Sequence, residues 1–132
     1  MLLHQSANGR KVGRMAITGG ITKGGDLCSY GSTDYVRMIE RANASEAIDA
    51  IVIEMDTPGG SVDGTPELGQ AIKESAKPVV VFADSMVASA GYWAASQAAA
   101  IVANANNYTE IGSIGTLFVY PNYANVIEAG NF

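Results

Sequence analysis

Two short loops contain the glycine pair and the serine that are the strongest candidates for a reactive site. Residues 56–62 (DTPGGSV) follow an apolar run, and their adjacent glycines let the backbone approach a ligand with its N–H groups pointing outward. Residues 84–93 follow a second apolar run and place Ser89 where a helix is expected to begin. A helix N-terminus stabilises developing negative charge near such a hydroxyl. The first loop could equally be an ordinary Pro-Gly turn, and Ser89 could equally be only a helix cap.

Together the two loops supply the parts needed for acyl transfer. Ser89 offers a nucleophilic hydroxyl, and the glycine pair offers N–H donors for the oxyanion that forms when a hydroxyl attacks a carbonyl. Both loops follow apolar strands, and sites in parallel sheets form beyond the carboxyl ends of the strands. The pattern therefore favours nucleophilic catalysis by a serine.

The elements that must position these loops are read from the alternation of apolar runs with helix-like stretches. This order predicts an α/β domain with parallel strands and right-handed crossovers. The run 50–55 shows little alternation, which predicts a central strand buried on both faces. We predict strands at 14–18, 50–55, 79–83, 101–103 and 117–120. We predict a first helix capped by Ser32 or Thr33, followed by helices at 65–77, 89–100 and 123–129. Thr65 is the predicted cap of the second of these helices, and residues 19–31 form a glycine-rich loop.

Three segments, in order, resemble the signal peptide peptidase A family of serine peptidases, within the wider Clp protease and crotonase fold. They are DTPGGSV, KPVVVFADSMVASAGYW and IGSIGTL, and the resemblance runs from about residue 11 to residue 132. It implies repeated β-β-α units around a mostly parallel central sheet. With a single uninterrupted domain and no visible anchor, the chain is most similar to the head-maturation proteases of tailed phages and prophages.

The resemblance also implies roles for individual residues. Ser89 would be the nucleophile, and the N–H groups of Ala90 and of Gly60 or Gly59 would form the oxyanion hole. The family often has glycine after its serine, and Ala90 departs from that pattern but keeps the N–H. Threonine in TPGG replaces the commoner serine, a change we expect to be tolerated.

Further residues are implied around this centre. Ser113, in GSIG, matches a serine that orients the family's catalytic lysine, although it could equally be a turn serine between glycines. A peptide substrate would lie extended beside residues 60–62, adding a strand along Ser61 and Val62. The resemblance implies a preference for small or apolar side chains at the cleavage point. Tyr92 and Trp93 are expected to be core aromatics.

The family's general base is a lysine, deprotonated by burial, in a segment that follows GSIG after a further helix and strand. No lysine follows Lys77, and Lys11, Lys23 and Lys73 do not match the family position. His4 lies in a polar segment without a neighbouring motif that would make it part of a triad. We therefore expect the 132 residues to be inactive, or nearly so, as a peptidase.

Length and composition limit the remaining possibilities. The 132 residues fit one domain, which we place at 14–132, truncated before the lysine, after an N-terminal segment at 1–13. The net charge of −5 argues against nucleic acid, and no apolar run reaches the ~20 residues of a membrane span. Without a signal-peptide pattern, we expect a cytoplasmic or phage-assembly protein. With 48% hydrophobic and 16% charged residues, we expect a homo-oligomer, and no motif indicates a metal or another cofactor.

Two alternatives belong to other functional classes. A crotonase-like acyl-CoA enzyme would use similar paired amides and would not need Ser89, but it would need acidic residues in the pocket. Only Glu54, Asp56 and Asp63 are near in sequence, and they form no recognisable acid/base pair. A catalytically silent assembly module could keep the fold without the lysine.

Overall fold

The computed structural model describes residues 1–5, 9–106 and 108–116, which form one sheet with helices packed on it. The strands are β1 (Leu2–Gln5), β2 (Lys11–Thr18), β3 (Ala50–Thr57), β4 (Val79–Ala88), β5 (Ala100–Ala103) and β6 (Glu110–Gly112). The helices are α1 (Ser32–Ala44), α2 (Thr65–Lys73) and α3 (Ala90–Ala95). The strand predicted at 117–120 and the helix predicted at 123–129 lie outside the described residues. None of the helices in the described ranges is long and apolar enough to cross a membrane.

The sheet has the order β1-β2-β3-β4-β5, with β6 paired to the second half of β4. Its pairs are parallel except β1–β2, where the strand from Leu2 runs antiparallel to the strand from Lys11. Strand β1 and the first residues of β2 lie in residues 1–13, which were predicted to form a separate N-terminal segment. The α/β class with a mostly parallel sheet is confirmed.

One face of the sheet carries the core. Along β3 the side chains of Ile51, Ile53 and Met55 are fully buried against the helices, whereas the alternate residues are only partly buried. The expectation of a strand buried on both faces was therefore wrong for the described residues. Lack of alternation in the sequence reflected an apolar outer face, and Val52 on that face is only half-buried.

The helix caps differ from the predicted ones. Gly31, rather than Ser32 or Thr33, is the N-cap of α1, and its N–H donates to the Asp34 carboxylate at 3.1 Å. Gly64, with φ of 86°, is the N-cap of α2, and the Thr65 hydroxyl instead donates to the Ser61 carbonyl at 2.7 Å. The positive φ of Gly64 favours glycine, whereas Gly31 has an extended backbone and its N–H donates to the Asp34 side chain.

The predicted end of α2 was also wrong. The helix ends at Lys73, and Lys77 lies beyond it. The Lys77 ammonium donates to the Ala42 carbonyl at 2.6 Å and to the Ser45 carbonyl, so it caps the C-terminus of α1 rather than of α2.

Strand β4 is longer, and α3 shorter, than predicted. β4 continues to Ala88 because its second half finds a partner in β6, a three-residue strand that the sequence analysis missed. A register shift separates the two halves, and the Asp56 carboxylate accepts the Met86 N–H there at 3.2 Å. α3 ends at Ala95, and the predicted last residue of that helix, Ala100, begins β5. The extended β4 carries the chain directly to Ser89.

Candidate active site

Ser89 occupies a sharp junction between β4 and α3. Its φ of 53° and ψ of −120° are unusual for a residue with a side chain. The Ser89 N–H donates to the Gly112 carbonyl at 2.9 Å, and its carbonyl accepts the Trp93 N–H at 2.9 Å. Strained backbone of this kind persists where the surroundings impose it, and such a strand-to-helix turn exposes a nucleophile. The hydroxyl makes no capping hydrogen bond, so Ser89 does not serve as a side-chain cap.

Gly59 lies directly against this junction. Its φ is +96°, and a Cβ built on it would stand 2.7 Å from the Ala88 oxygen and 2.8 Å from both the Ala90 nitrogen and the Ser89 Cβ. No real Cβ tolerates such contacts, so only glycine allows the loop to approach the serine this closely.

The glycine pair of this loop leaves one N–H without a hydrogen bond among the described residues. Ile21 forms a parallel bridge with Gly60: the Ile21 N–H donates to the Gly59 carbonyl, and the Ser61 N–H donates to the Ile21 carbonyl, both at 2.8 Å. In such a bridge the N–H of Gly60 faces away from Ile21. The Gly59 N–H is already used, donating to the Thr57 hydroxyl at 3.0 Å.

Among the described residues, the N–H groups of Gly60 and Ala90 have no hydrogen-bond partner. Of the two glycines predicted as alternatives, Gly60 is therefore the one with an open donor. The Ser61 N–H donates to the Ile21 carbonyl, and the Ser61 hydroxyl accepts the Asp63 N–H at 3.2 Å, so the predicted substrate contact of Ser61 stays a prediction.

A cavity of about 390 Å³ joins most of the predicted residues. Those that line it are Gly60, Val62, Ser89, Ala90 and Ser113. Tyr92 and Trp93 form part of its wall, and Trp93 is 47% exposed. Trp93 is therefore a cavity residue, and its assignment to the core was wrong. Tyr92 both packs on the core and reaches the cavity.

Ser113 reaches the cavity through β6. It follows Gly112, whose carbonyl binds the Ser89 N–H, and it has a φ of 57°. A serine in a simple turn would not need a strand such as β6 that pairs with β4. Here the hydrogen bond from the Ser89 N–H to the Gly112 carbonyl places residues 112–113 beside Ser89. The pairing of β6 with β4 was the feature that sequence patterns did not reveal.

Thr57 is the site residue that the sequence analysis undervalued. It is 0% exposed at the end of β3, and its hydroxyl donates to the Gly19 carbonyl at 2.6 Å while accepting the Gly59 N–H. Its methyl group lies against α3, where a Cβ added to Gly91 would stand 2.5 Å from Thr57 Cγ2. A buried hydroxyl beside a Pro-Gly-Gly turn was the available signal.

The contact between Thr57 and Gly91 makes a testable prediction about packing. Gly91→Ala should destabilise the fold by about 1–3 kcal/mol through overpacking, although alanine is the better helix former. In a Thr57→Ser background the methyl is gone, and the remaining neighbours of the new Cβ lie at 3.7 Å, so the same change should cost little. A double-mutant cycle by urea unfolding measures the difference. An equal cost of Gly91→Ala in both backgrounds would refute the contact.

Lysines are absent from the cavity wall in the part of the chain that the structure describes. The Lys23 ammonium binds the Asp63 carboxylate at 2.9 Å, and this hydrogen bond raises the pKa of Lys23, so it stays protonated and unsuited to act as a base. Lys77 is held at the end of α1. His4 lies on β1, at the sheet edge remote from β4.

The acidic residues that a crotonase-like enzyme would need are engaged elsewhere. Glu54 is paired with Arg14, Asp63 with Lys23, and Asp56 with the Met86 N–H. None of these carboxylates lines the cavity that contains Ser89.

The fold and this site define a domain of the Clp protease and crotonase class, with a serine at a strand-to-helix turn. The chain belongs to the family described as NfeD1b, N-terminal domain, whose sequence profile matches residues 29–124.

Its named relatives are proteases. The chain is 30% identical to Protease 4 of Haemophilus influenzae over 122 residues, which is 89% of this chain and 20% of that protein. It is 33% identical to capsid assembly protease C of Escherichia phage lambda over 103 residues, 74% of this chain and 23% of that protein. The chain thus spans about a fifth to a quarter of the length of these relatives.

Solved structures of proteases have the same fold as this domain. The 1510-N membrane protease specific for a stomatin homolog, from Pyrococcus horikoshii, superposes with a TM-score of 0.61 at 29% identity, covering 90% of this chain and 53% of that one. A mutant of 1510-N with a lysine replaced by alanine, in complex with a substrate peptide, has a TM-score of 0.62 at 29% identity, covering 87% and 48%. An enoyl-CoA hydratase/isomerase family member, with a TM-score of 0.58 at 15% identity, covering 77% and 46%, shares the fold alone.

Proposed function

We propose that this domain is the nucleophile-bearing core of a serine endopeptidase, with Ser89 as the attacking residue. One observation supports the proposal: Ser89, whose hydroxyl makes no capping hydrogen bond, lines the same cavity as Gly60 and Ala90, whose N–H groups have no partner among the described residues. The protease names of the relatives support the same reaction class.

In this mechanism the Ser89 oxygen attacks the peptide carbonyl carbon while a base takes the hydroxyl proton. The carbonyl oxygen becomes an oxyanion, and the N–H groups of Gly60 and Ala90 donate to it. Collapse of the tetrahedral species breaks the C–N bond, the proton passes to the departing amine, and an acyl-enzyme remains. Water then attacks the ester and regenerates the Ser89 hydroxyl.

The proposed base is a lysine, which Ser113 would orient. Two observations support it: a solved relative bound to substrate peptide carries a lysine-to-alanine replacement, and Ser113 lines the cavity beside Ser89. The four lysines of this sequence are Lys11, Lys23, Lys73 and Lys77, and none lines that cavity. The base would have to come from outside these 132 residues or from another copy, and residues 1–132 alone would then hydrolyse peptides very slowly.

The proposed substrate is an extended peptide with small or apolar side chains near the cleaved bond. Val62, Trp93 and Ile114 give the cavity an apolar wall next to Ser89, which supports that preference. The peptide would lie along Gly60 and Val62. Ser61 would lie between them without donating its N–H to the peptide, because Ile21 accepts that N–H.

Applied to a protein that also supplies the proposed lysine, a fluorophosphonate probe separates this proposal from the two alternatives. Such a probe forms a bond to an activated serine, so a serine peptidase should be labelled, and a crotonase-like enzyme or a silent module should not. Acyl-CoA thioesters serve as the parallel substrate. Thioester turnover without labelling would support the acyl-CoA alternative, and neither activity would support the silent module.

We also propose that copies of the domain associate. The face of the sheet away from the helices carries Val52, Val80 and Phe82, which are only half-buried, and Val102, which is 49% exposed. Parallel sheets are normally covered on both faces, and association would cover this one. Sedimentation at tens of micromolar should show a species larger than a monomer, and Phe82→Lys should shift it toward monomer. A monomer at that concentration would refute association.

A further inference from the structure

Thr57 contacts the chain neighbours of both proposed oxyanion-hole donors: Gly59, which precedes Gly60, and Gly91, which follows Ala90. Its hydroxyl binds the Gly19 carbonyl and the Gly59 N–H, and its methyl packs on Gly91, next to Ala90 in α3. The side chain is 0% exposed, so both hydrogen bonds are shielded from water.

The geometry of one peptide group connects Thr57 to the Gly60 donor. In a trans peptide the carbonyl of Gly59 and the N–H of Gly60 point in opposite directions. That carbonyl is held by the Ile21 N–H at 2.8 Å, and the N–H on the other side of Gly59 is held by the Thr57 hydroxyl at 3.0 Å. With both ends of Gly59 fixed, the direction of the Gly60 N–H is fixed as well.

The same hydroxyl secures the segment that supplies Ile21. It donates to the Gly19 carbonyl at 2.6 Å, two residues before Ile21, and the Gly19 N–H returns to the Asp56 carbonyl at 2.9 Å. Thr57 therefore connects two segments: the loop that contains Ile21, which holds Gly59, and the end of β3, which leads to Gly59.

We infer that Thr57 is a positioning residue, whose hydroxyl aims the Gly60 N–H at the oxyanion through Gly59. The inference rests on the proposed function and adds to it a residue that does not touch the substrate. Misplacing a catalytic group by about 1 Å can cost about 100-fold in rate, so the hydroxyl should matter to the chemical step more than to substrate binding.

The test compares Thr57→Val with Thr57→Ser in the full-length protein. Valine keeps the shape and loses both hydrogen bonds, whereas serine keeps the hydroxyl and loses only the methyl. We expect valine to lower kcat, and the maximal rate of fluorophosphonate labelling at Ser89, by about 10- to 100-fold with little change in KM. Serine should stay within about threefold of the wild type in the same measurements.

Ser75→Ala is the matched control for loss of a bonded hydroxyl. The Ser75 hydroxyl binds Asn43 and the Lys77 carbonyl, both at 2.8 Å, and Ser75 precedes β4, whereas Ser89 follows it. This variant should lose thermal stability without loss of labelling rate. Rates are normalised to the folded fraction, measured by circular dichroism.

Amide hydrogen exchange in the wild type tests the inference even if Thr57→Val does not fold. The Gly59 amide should exchange at least about 100-fold more slowly than an unprotected amide, whereas the Gly60 amide should not be protected. Equal exchange at the two glycines would overturn the inference. So would wild-type labelling rates in Thr57→Val, or an equal loss in Thr57→Ser. Failure of the wild type to be labelled at Ser89 would instead overturn the proposed function on which the inference rests.

Discussion

In a protein that also supplies the proposed lysine, replacing Ser89 with alanine should abolish peptide hydrolysis, with a loss on the order of 10,000-fold or more. The substitution removes the only atom that would form the acyl bond and keeps the Cβ that contacts Gly59. Because the hydroxyl makes no capping hydrogen bond, the melting temperature should stay close to that of the wild type. Steady-state cleavage of a peptide library, together with thermal unfolding, measures both quantities.

Ser85, on the strand that leads to Ser89, provides the control. Ser85→Ala changes a partly buried serine earlier on β4 that does not line the cavity, and it should leave cleavage intact. Retention of more than a few per cent of the cleavage rate in Ser89→Ala would exclude Ser89 as the nucleophile.

Replacing Gly59 with alanine should lower the rate per folded molecule by about 100-fold or more, because the new Cβ forces the loop and the serine apart. The Cβ would stand within 2.8 Å of the Ala90 nitrogen and of Ser89 Cβ, and these contacts can be relieved only by moving one of the proposed donors or the nucleophile. Stability should also fall, since a side chain at φ of +96° costs about 1–2 kcal/mol before any clash.

Gly9→Ala separates the clash from the backbone strain. Gly9 has a φ of +80° and no atom within 4 Å of its ideal Cβ position. It should lose comparable stability from strain and keep its labelling rate with a fluorophosphonate. If Gly59→Ala is labelled as fast as Gly9→Ala, the close approach of Gly59 to Ser89 has no catalytic role.

The sequence allowed the class of fold and the positions of the two reactive loops to be predicted. The alternation of strand and helix patterns reflects side-chain burial, and the loops after apolar runs reflect backbone freedom. Both are local properties, so a sequence pattern can indicate them. The resemblance of the three segments added the roles of Ser89, Gly60 and Ala90, which stay predictions until they are tested by substitution.

Long-range backbone pairing explains most of what was missed. β6 is three residues long, and it forms because Met86, Val87 and Ala88 offer it a partner, so nothing in its own pattern marks it. The same partnership extends β4 and brings Ser113 to the cavity. The helix caps at Gly31 and Gly64 were missed because neither glycine carries the side-chain hydroxyl that marks a typical N-cap in a sequence.

The exposure of Trp93 was also predicted incorrectly. Trp93 lies on a short alanine-rich helix, a composition typical of tight packing, yet its side chain lines the cavity and is 47% exposed. Thr57 was read only as a tolerated change in a motif. Its importance follows from three-dimensional contacts with Gly19 and Gly91, which lie far apart in the sequence.

Mapping the site of covalent modification shows whether Ser89 is an activated nucleophile. A protein that also supplies the proposed lysine is treated with a fluorophosphonate, digested, and sequenced by mass spectrometry. We predict a single adduct on Ser89, lost in Ser89→Ala and reduced in Gly59→Ala. An adduct on another serine such as Ser113, or no adduct on the folded protein, would contradict the account.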